Sequence, residues 1–118
     1  MFTPTISIEQ LPSGEKIGTT LNGVELLIAN VGGNIYAAQR GCPHTGEDLS
    51  KGHLEGSIIE CPVHGAMFDL ADGRVLNLPS TAPLKTYPAK IENGIIMIDL
   101  PAPEPTLNST PENPQEKA

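Results

Sequence analysis

The amino-acid sequence predicts an all-β domain made of short antiparallel strands. Glycine and proline number 12 each among 118 residues, and both interrupt helices, glycine through its backbone freedom and proline through its missing amide hydrogen. Apolar residues make up 38% of the chain and aromatic residues only 3%, so isoleucine, leucine and valine must build most of the core, which favours sheets. No segment shows a sustained helical spacing of apolar residues.

Pairs of turn residues separate the predicted strands. Asn22-Gly23, Gly32-Gly33, Asp72-Gly73 and Asn93-Gly94 can each supply the positive φ angle that a tight hairpin turn requires. In chain order, the predicted strands are residues 5–8, 16–20, 24–29, 34–38, 67–69, 74–76, 90–92 and 95–100. Antiparallel hairpins follow from this order, because each of these turns joins two strands that are neighbours in sequence.

Composition also separates the chain into two parts. Five prolines fall within residues 101–118, where Leu107 is the only large apolar side chain. A segment with so little apolar surface cannot offset the entropy lost on ordering. We therefore predict one folded domain over residues 1–100, followed by a proline-rich C-terminal tail over residues 101–118.

The acidic balance of the chain restricts its partners and location. Fourteen acidic and seven basic side chains give a formal net charge of −7, which argues against a nucleic-acid surface, because phosphates require clusters of lysine and arginine. The densest apolar runs, residues 26–29 and 95–98, are four residues long, whereas a membrane helix needs roughly 20. With no signal-like segment at the N-terminus, we expect a cytoplasmic protein without membrane contact, in which cysteines bind metal or do chemistry.

Two segments that begin at Cys42 and Cys61 carry potential metal ligands. They read C-P-H and C-P-V-H, end at His44 and His64, and include both cysteines and two of the three histidines. One thiolate and one imidazole from each segment suit a [2Fe-2S] cluster, with Cys42 and Cys61 on one iron and His44 and His64 on the other. Because two neutral imidazoles replace two thiolates, such a cluster is less negative and accepts an electron more readily.

Three other interpretations of these four residues stay open, one of which is that they are unrelated buried residues. A structural zinc site could use the same side chains, although zinc spacings usually group cysteine with cysteine and histidine with histidine. A disulfide between Cys42 and Cys61 would need an oxidising compartment. Gly41, Gly46 and Gly65 lie close to the proposed ligands, and we expect their backbone to approach the cluster. We expect His53 on an exposed loop and not as a ligand.

The paired motif resembles that of the Rieske ferredoxin family, and the resemblance extends over about residues 17–100. Phe68-Asp69, Asp72-Gly73 and Tyr87-Pro88 are similar to the stretch that follows the second cluster loop in soluble members. The resemblance implies a Rieske-type arrangement of antiparallel β-sheets, in which a small inserted cluster-binding subdomain covers about residues 40–68.

The Rieske proteins of respiratory and photosynthetic cytochrome complexes differ from this chain at four positions. Those proteins carry an additional cysteine in each loop, where Glu47 and Val63 stand here, and a serine and a tyrosine that donate hydrogen bonds to the cluster, where Ala66 and Phe68 stand. Because fewer donors stabilise the reduced cluster less, we expect a potential near the low end of the Rieske range, about −150 mV.

The resemblance implies a soluble one-electron carrier that connects a flavin-containing ferredoxin reductase to a terminal ring-hydroxylating oxygenase. Such oxygenases act in aromatic-hydrocarbon catabolism, and the biphenyl and carbazole systems fit best. We expect a monomer when the protein is free. An enzyme of the oxygenase kind would need a further iron held by two histidines and a carboxylate, and only His53 remains. A Rieske-like small subunit of a larger reductase, such as assimilatory nitrite reductase, is the alternative.

Overall fold

The computed structural model describes residues 2–43, 46–62, 65–76 and 82–100, and nearly all their regular structure is β-strand. The strands are β1 Phe2–Ser7, β2 Lys16–Leu21, β3 Val24–Val31, β4 Asn34–Gln39, β5 His53–Glu55, β6 Ile58–Glu60, β7 Met67–Asp69, β8 Thr86–Tyr87, β9 Ala89–Glu92 and β10 Ile95–Asp99. Two 3-10 helices cover Ile8–Gln10 and Leu49–Lys51. Every strand pair within these residues is antiparallel, so the predicted all-β class is confirmed.

The strands form three sheets arranged around two cores. Their orders are β1-β10-β9, β2-β3-β4-β8 and β5-β6-β7. Successive side chains of a strand point to opposite faces, and in β3 Leu26 and Ile28 enter the core shared with β10, while Leu27 and Ala29 enter the core shared with β6 and β7. The four-stranded sheet therefore buries both faces and lies between the other two sheets.

Three of the predicted turns have the backbone geometry expected of them. Asn22 and Gly23 have φ angles of 52° and 80°, and Asn93 and Gly94 have 54° and 78°. Two-residue hairpin loops need positive φ at both central residues to match the twist of the flanking strands. Gly32 and Gly33, at 62° and 96°, meet the same requirement between β3 and β4.

The prediction of a strand over residues 74–76 was wrong. Val75 makes a single isolated bridge to Phe68 and no strand forms there. Within the described residues the pairing with β7 is limited to this bridge, which has a backbone hydrogen bond on each side: the amide of Asp69 donates to the carbonyl of Arg74, and the amide of Leu76 donates to the carbonyl of Met67, both at 2.9 Å. The amide of Arg74 donates to the carboxylate of Asp72 and not to β7. This local bond takes the Arg74 amide, and the Asp69 carbonyl opposite it accepts the amide of Gly73 at 2.6 Å, so the pairing does not extend into the turn.

The third sheet spans residues 53–69, most of which fall in the segment expected to form the cluster-binding subdomain. The predicted tail over residues 101–118 lies outside the described residues. Within the described part of the chain, no helix is long and apolar enough to cross a membrane.

Candidate metal centre

Cys42 and Cys61 are both buried in the core between the four-stranded sheet and the third sheet. Cys42 follows β4 and Cys61 follows β6, and their exposed fractions are 3% and 2%. Both belong to the same core cluster as Leu49 and Phe68. Neither forms a disulfide. The structure therefore gives no support to the disulfide interpretation, and the two thiols reach one core from two different loops.

The two cysteine loops have the same construction. The amide of Cys42 donates to the carbonyl of Glu47 at 2.8 Å, and the amide of Cys61 donates to the carbonyl of Ala66 at 2.7 Å. Each bond closes a six-residue loop of sequence C-P-x-x-G-x. The fifth residue of each loop is a glycine with positive φ, 78° in the first loop and 69° in the second. The repeated C-P-x-x-G pattern was a signal of this equivalence that our interpretation of the sequence did not use.

The structure describes one of the three histidines, His53, and not the two predicted ligands. His44 and His64 lie outside the described residues, so the structure does not test their ligand role. His53 is exposed, as expected, but it begins β5 and does not lie in a loop. Among the residues that are described, no three or more histidine, cysteine, aspartate or glutamate side chains form a group able to hold a metal ion.

An ion pair fastens the ends of the first cysteine loop. Arg40 donates from Nε and Nη2 to the two carboxylate oxygens of Asp48 at 3.1 and 3.0 Å, and the amide of Leu49 donates to the carbonyl of Arg40 at 2.8 Å. Hydrogen bonds from Arg40, and then from Ser50, hold the pKa of Asp48 well below its usual range. Gly18 leaves room for this group, because an added Cβ would lie 2.7 Å from Nε of Arg40.

A hairpin fastens the second loop instead. Strands β6 and β7 pair through Ile59 with Phe68 and Glu60 with Met67, which places Cys61 and Ala66 just beyond the last pair. Gly52 packs directly on this hairpin, since an added Cβ there would overlap the carbonyl oxygen of Glu60. Both loops therefore start from fixed backbone, as a site with a defined ligand geometry requires.

These residues fit an iron-sulfur cluster held from two sides. Buried cysteine thiols are the ligands that iron-sulfur clusters take from proteins. Ala66 and Phe68, at the positions of the absent hydroxyl donors, are both fully buried. A cavity of about 390 Å³ opens beside the second loop, with Cys61, Pro62 and Gly65 among its lining residues. The second loop is therefore close to the protein surface.

Known proteins match the chain over most of its length. The family model for the Rieske [2Fe-2S] domain matches residues 2–88. The ferredoxin component of the naphthalene 1,2-dioxygenase system of Pseudomonas aeruginosa is 44% identical over 95 residues, which cover 80% of this chain and 91% of that relative.

Solved structures agree with the sequence comparison. The Sphingomonas yanoikuyae B1 ferredoxin superposes with a TM-score of 0.80 at 33% identity, over 86% of this chain and 100% of that one. A chain from the complex of reduced oxygenase and oxidized ferredoxin in carbazole 1,9a-dioxygenase superposes with a TM-score of 0.78 at 28% identity, over 82% of this chain and 91% of that one. A putative NADH-dependent nitrite reductase small subunit from Mycobacterium tuberculosis superposes with a TM-score of 0.75 at 24% identity, over 83% of this chain and 93% of that one. This likeness shows a shared fold alone.

The buried thiols, the equivalent loops and these matches lead to one conclusion. The match to the family model covers more than half of the chain, and the matched relative is a ferredoxin component. The chain belongs to the Rieske [2Fe-2S] family, in which it is a ferredoxin, a one-electron carrier with one [2Fe-2S] cluster and not itself an enzyme.

Proposed function

We propose that this ferredoxin carries single electrons from a flavin-containing ferredoxin reductase to a terminal oxygenase that hydroxylates aromatic rings. The observation that carries the proposal is the 44% identity to the ferredoxin component of a naphthalene dioxygenase system, matched over 91% of that relative. The likeness to a chain from an oxygenase and ferredoxin complex supports the oxygenase as the acceptor. The two cysteine thiols support a reducing compartment, so we place the carrier in the cytoplasm.

We further propose the four ligands. Cys42 and Cys61 would hold one iron, and His44 and His64 the other. The two buried thiols in one core and the two equivalent loops support this assignment, because each loop then supplies one cysteine and one histidine. When it is bound, the cluster supplies a one-electron exchange, and the surrounding residues hold it in place.

Serine variants test the cysteine ligands. Cys42→Ser and Cys61→Ser should largely abolish assembly, because a serine hydroxyl is a poor replacement for a thiolate. His44→Cys or His64→Cys should lower the potential or destabilise the cluster, since a thiolate adds negative charge. His53→Ala is the matched control and should keep the iron content and visible spectrum. Serine variants with normal iron content and spectrum would refute the ligand assignment.

The mode of association separates a mobile carrier from a permanent subunit. We propose that the free protein is a monomer, and its net charge of −7 supports weak, salt-dependent binding to a basic partner surface. Gel filtration at low and high salt with a candidate oxygenase should give a complex that dissociates as salt rises. Co-elution at every salt concentration with a larger reductase would instead favour the subunit role, which is supported only by the fold shared with a nitrite reductase small subunit.

We also propose that residues 1–100 contain the whole folded unit, with the cluster-binding subdomain over about residues 40–68. The burial of Leu100, which is 2% exposed, supports a domain that extends to this residue. A chain ending at Leu100 should bind the same amount of iron and unfold at the same temperature as the full chain. A clear loss of either would show that residues 101–118 contribute to the fold.

A further inference from the structure

The side chain of Gln39, the last residue of β4, connects two separate segments of backbone near the metal centre. Its Nε2 donates to the carbonyl of Gly41 at 2.6 Å, and its Oε1 accepts the amide of Lys85 at 2.8 Å. The backbone amide of Gln39 also donates to the carbonyl of Lys85 at 2.8 Å. Gly41 directly precedes Cys42, so one of these bonds holds the residue next to a buried thiol.

The primary amide suits this position because it carries a donor and an acceptor at one end. In a regular antiparallel pair the amide of Lys85 would bond to the backbone carbonyl of the residue opposite. Here Oε1 of Gln39 accepts that amide, while the chain beyond Gln39 leaves the sheet towards Cys42. A leucine of similar size would make neither bond, and a glutamate would keep only the acceptor.

The segment held by Gln39 is hydrogen-bonded to the turn after β7, the strand that follows the second cysteine loop. The amide of Leu84 donates to the carbonyl of Gly73 at 2.7 Å, and the amide of Gly73 donates to the carbonyl of Asp69 at 2.6 Å, at the end of β7. Leu84 itself is buried in the core that contains both cysteines. Gln39 therefore lies on a series of hydrogen bonds that runs from the first cysteine loop to the end of β7, the strand that follows the second cysteine loop.

We infer that Gln39 is a positioning residue for the metal centre, whose amide fixes the Gly41 carbonyl, and with it the backbone of Cys42, against residues 82–85. The inference rests on the proposed role of Cys42 as a ligand. Loss of the Gln39 amide leaves the ligands intact but lets the first cysteine loop move relative to the rest of the site. The metal should then be released faster than global stability alone would predict.

Two substitutions separate the two bonds of the side chain. Gln39→Leu removes both, while Gln39→Glu keeps an acceptor for Lys85 and sets a carboxylate oxygen against the Gly41 carbonyl. Gln10→Leu is the control for the loss of a glutamine side-chain hydrogen bond outside the cysteine loops, because Gln10 accepts one such bond, from the amide of Ser7 in the capping box of the first 3-10 helix. Each variant is compared with the wild type as the metal-loaded protein.

Three measurements are made: iron release to a chelating dye below the unfolding midpoint, the midpoint itself, and hydrogen–deuterium exchange of the peptide containing Lys85. Gln39→Leu should release iron about tenfold faster and exchange faster at Lys85, as expected for two lost hydrogen bonds. Gln39→Glu should release iron comparably fast but keep the protection at Lys85. Gln10→Leu should stay within about twofold of wild type in release rate.

Iron release from Gln39→Glu at the wild-type rate would overturn the positioning role. The positioning role would also be overturned if the iron-release rate changed in proportion to the unfolding midpoint in all three variants, because a purely structural role would explain that pattern. Failure of the proposed function looks different. If the wild-type chain holds zinc and shows no visible cluster spectrum, the carrier proposal fails, whereas zinc release and Lys85 exchange still report the effect of Gln39.

Discussion

Two isoleucines in different cores provide a direct test of how the fold supports the metal centre. Ile59 lies in β6, the middle strand of the third sheet, and belongs to the core that contains Cys42 and Cys61. Ile98 lies in β10, the middle strand of the first sheet, and belongs to the other core. Both are 0% exposed, so Ile59→Ala and Ile98→Ala remove the same atoms from equally buried places.

The expected loss of stability is the same for both. Truncation to alanine removes three carbons, or about 2.4 kcal/mol at about 0.8 kcal/mol for each buried carbon, and the cavity left behind brings the usual cost to about 2–5 kcal/mol. For a domain of this size, that lowers the unfolding midpoint by about 10 °C or more. If either alanine variant fails to fold, valine at the same position provides a milder test of about 0.5–1.5 kcal/mol.

Release of the cluster should distinguish the two variants. Visible absorbance is followed at a temperature about 15 °C below the lower midpoint, where both proteins are folded. Ile59→Ala should lose absorbance at least about tenfold faster than wild type. The reason is that about 1.4 kcal/mol of the stability lost in this variant lowers the free energy of local opening beside the cysteines. Ile98→Ala should stay within about threefold. Equal rates for the two variants would refute the division of the molecule into two separately acting cores.

Three further predictions follow from particular contacts. Gly73→Ala should destabilise the protein at least twice as much as Gly23→Ala in urea unfolding, because both glycines have a φ of 80° but only at Gly73 would a Cβ overlap the carbonyl oxygen of Leu84; equal losses would contradict the steric reason. The pKa of Asp48 is depressed in the folded state, so its contribution is present above its unfolded pKa of about 3.9 and is lost as pH falls. The difference in unfolding midpoint between wild type and Asp48→Asn should therefore be constant from pH 5 to 7 and narrow below about pH 4; a difference that persists undiminished at pH 3 would oppose this assignment. Direct voltammetry should give a potential near −150 mV, since Ala66 and Phe68 offer no hydroxyl donors; a clearly positive value would show that other donors compensate.

Much of the fold could be predicted because its signals are local. Two Asn-Gly pairs and Gly32-Gly33 fixed three hairpins through their positive φ angles, and the strands on either side followed. Strands β5, β6 and β8 were missed because they are only two or three residues long, too short for alternation to be visible, and none of the predicted turn pairs lies beside them. Strand β7 is as short, but the Asp72-Gly73 turn after it indicated its position. The strand predicted at residues 74–76 is reduced to one bridge, because the Arg74 amide bonds to the carboxylate of Asp72 and the Asp69 carbonyl accepts the amide of Gly73.

The candidate site was predictable only in its chemistry. The two cysteines and their spacing indicated a metal centre, and the repeated C-P-x-x-G pattern could also have indicated two equivalent loops. The bond between Gln39 and Lys85 could not be predicted, because it joins residues that are far apart in the chain. Gln39 and Lys85 are 46 residues apart in the chain, and nothing in the composition of either segment connects them. Such contacts depend on the register of strands that pair far apart in sequence.

Electron paramagnetic resonance of the dithionite-reduced protein, combined with iron and sulfide analysis, tests the proposed metal centre most directly. A mixed cysteine and histidine cluster should give a rhombic signal with a low average g value, together with two irons and two sulfides per chain. A silent spectrum from a protein that contains bound zinc would contradict the electron-carrier function.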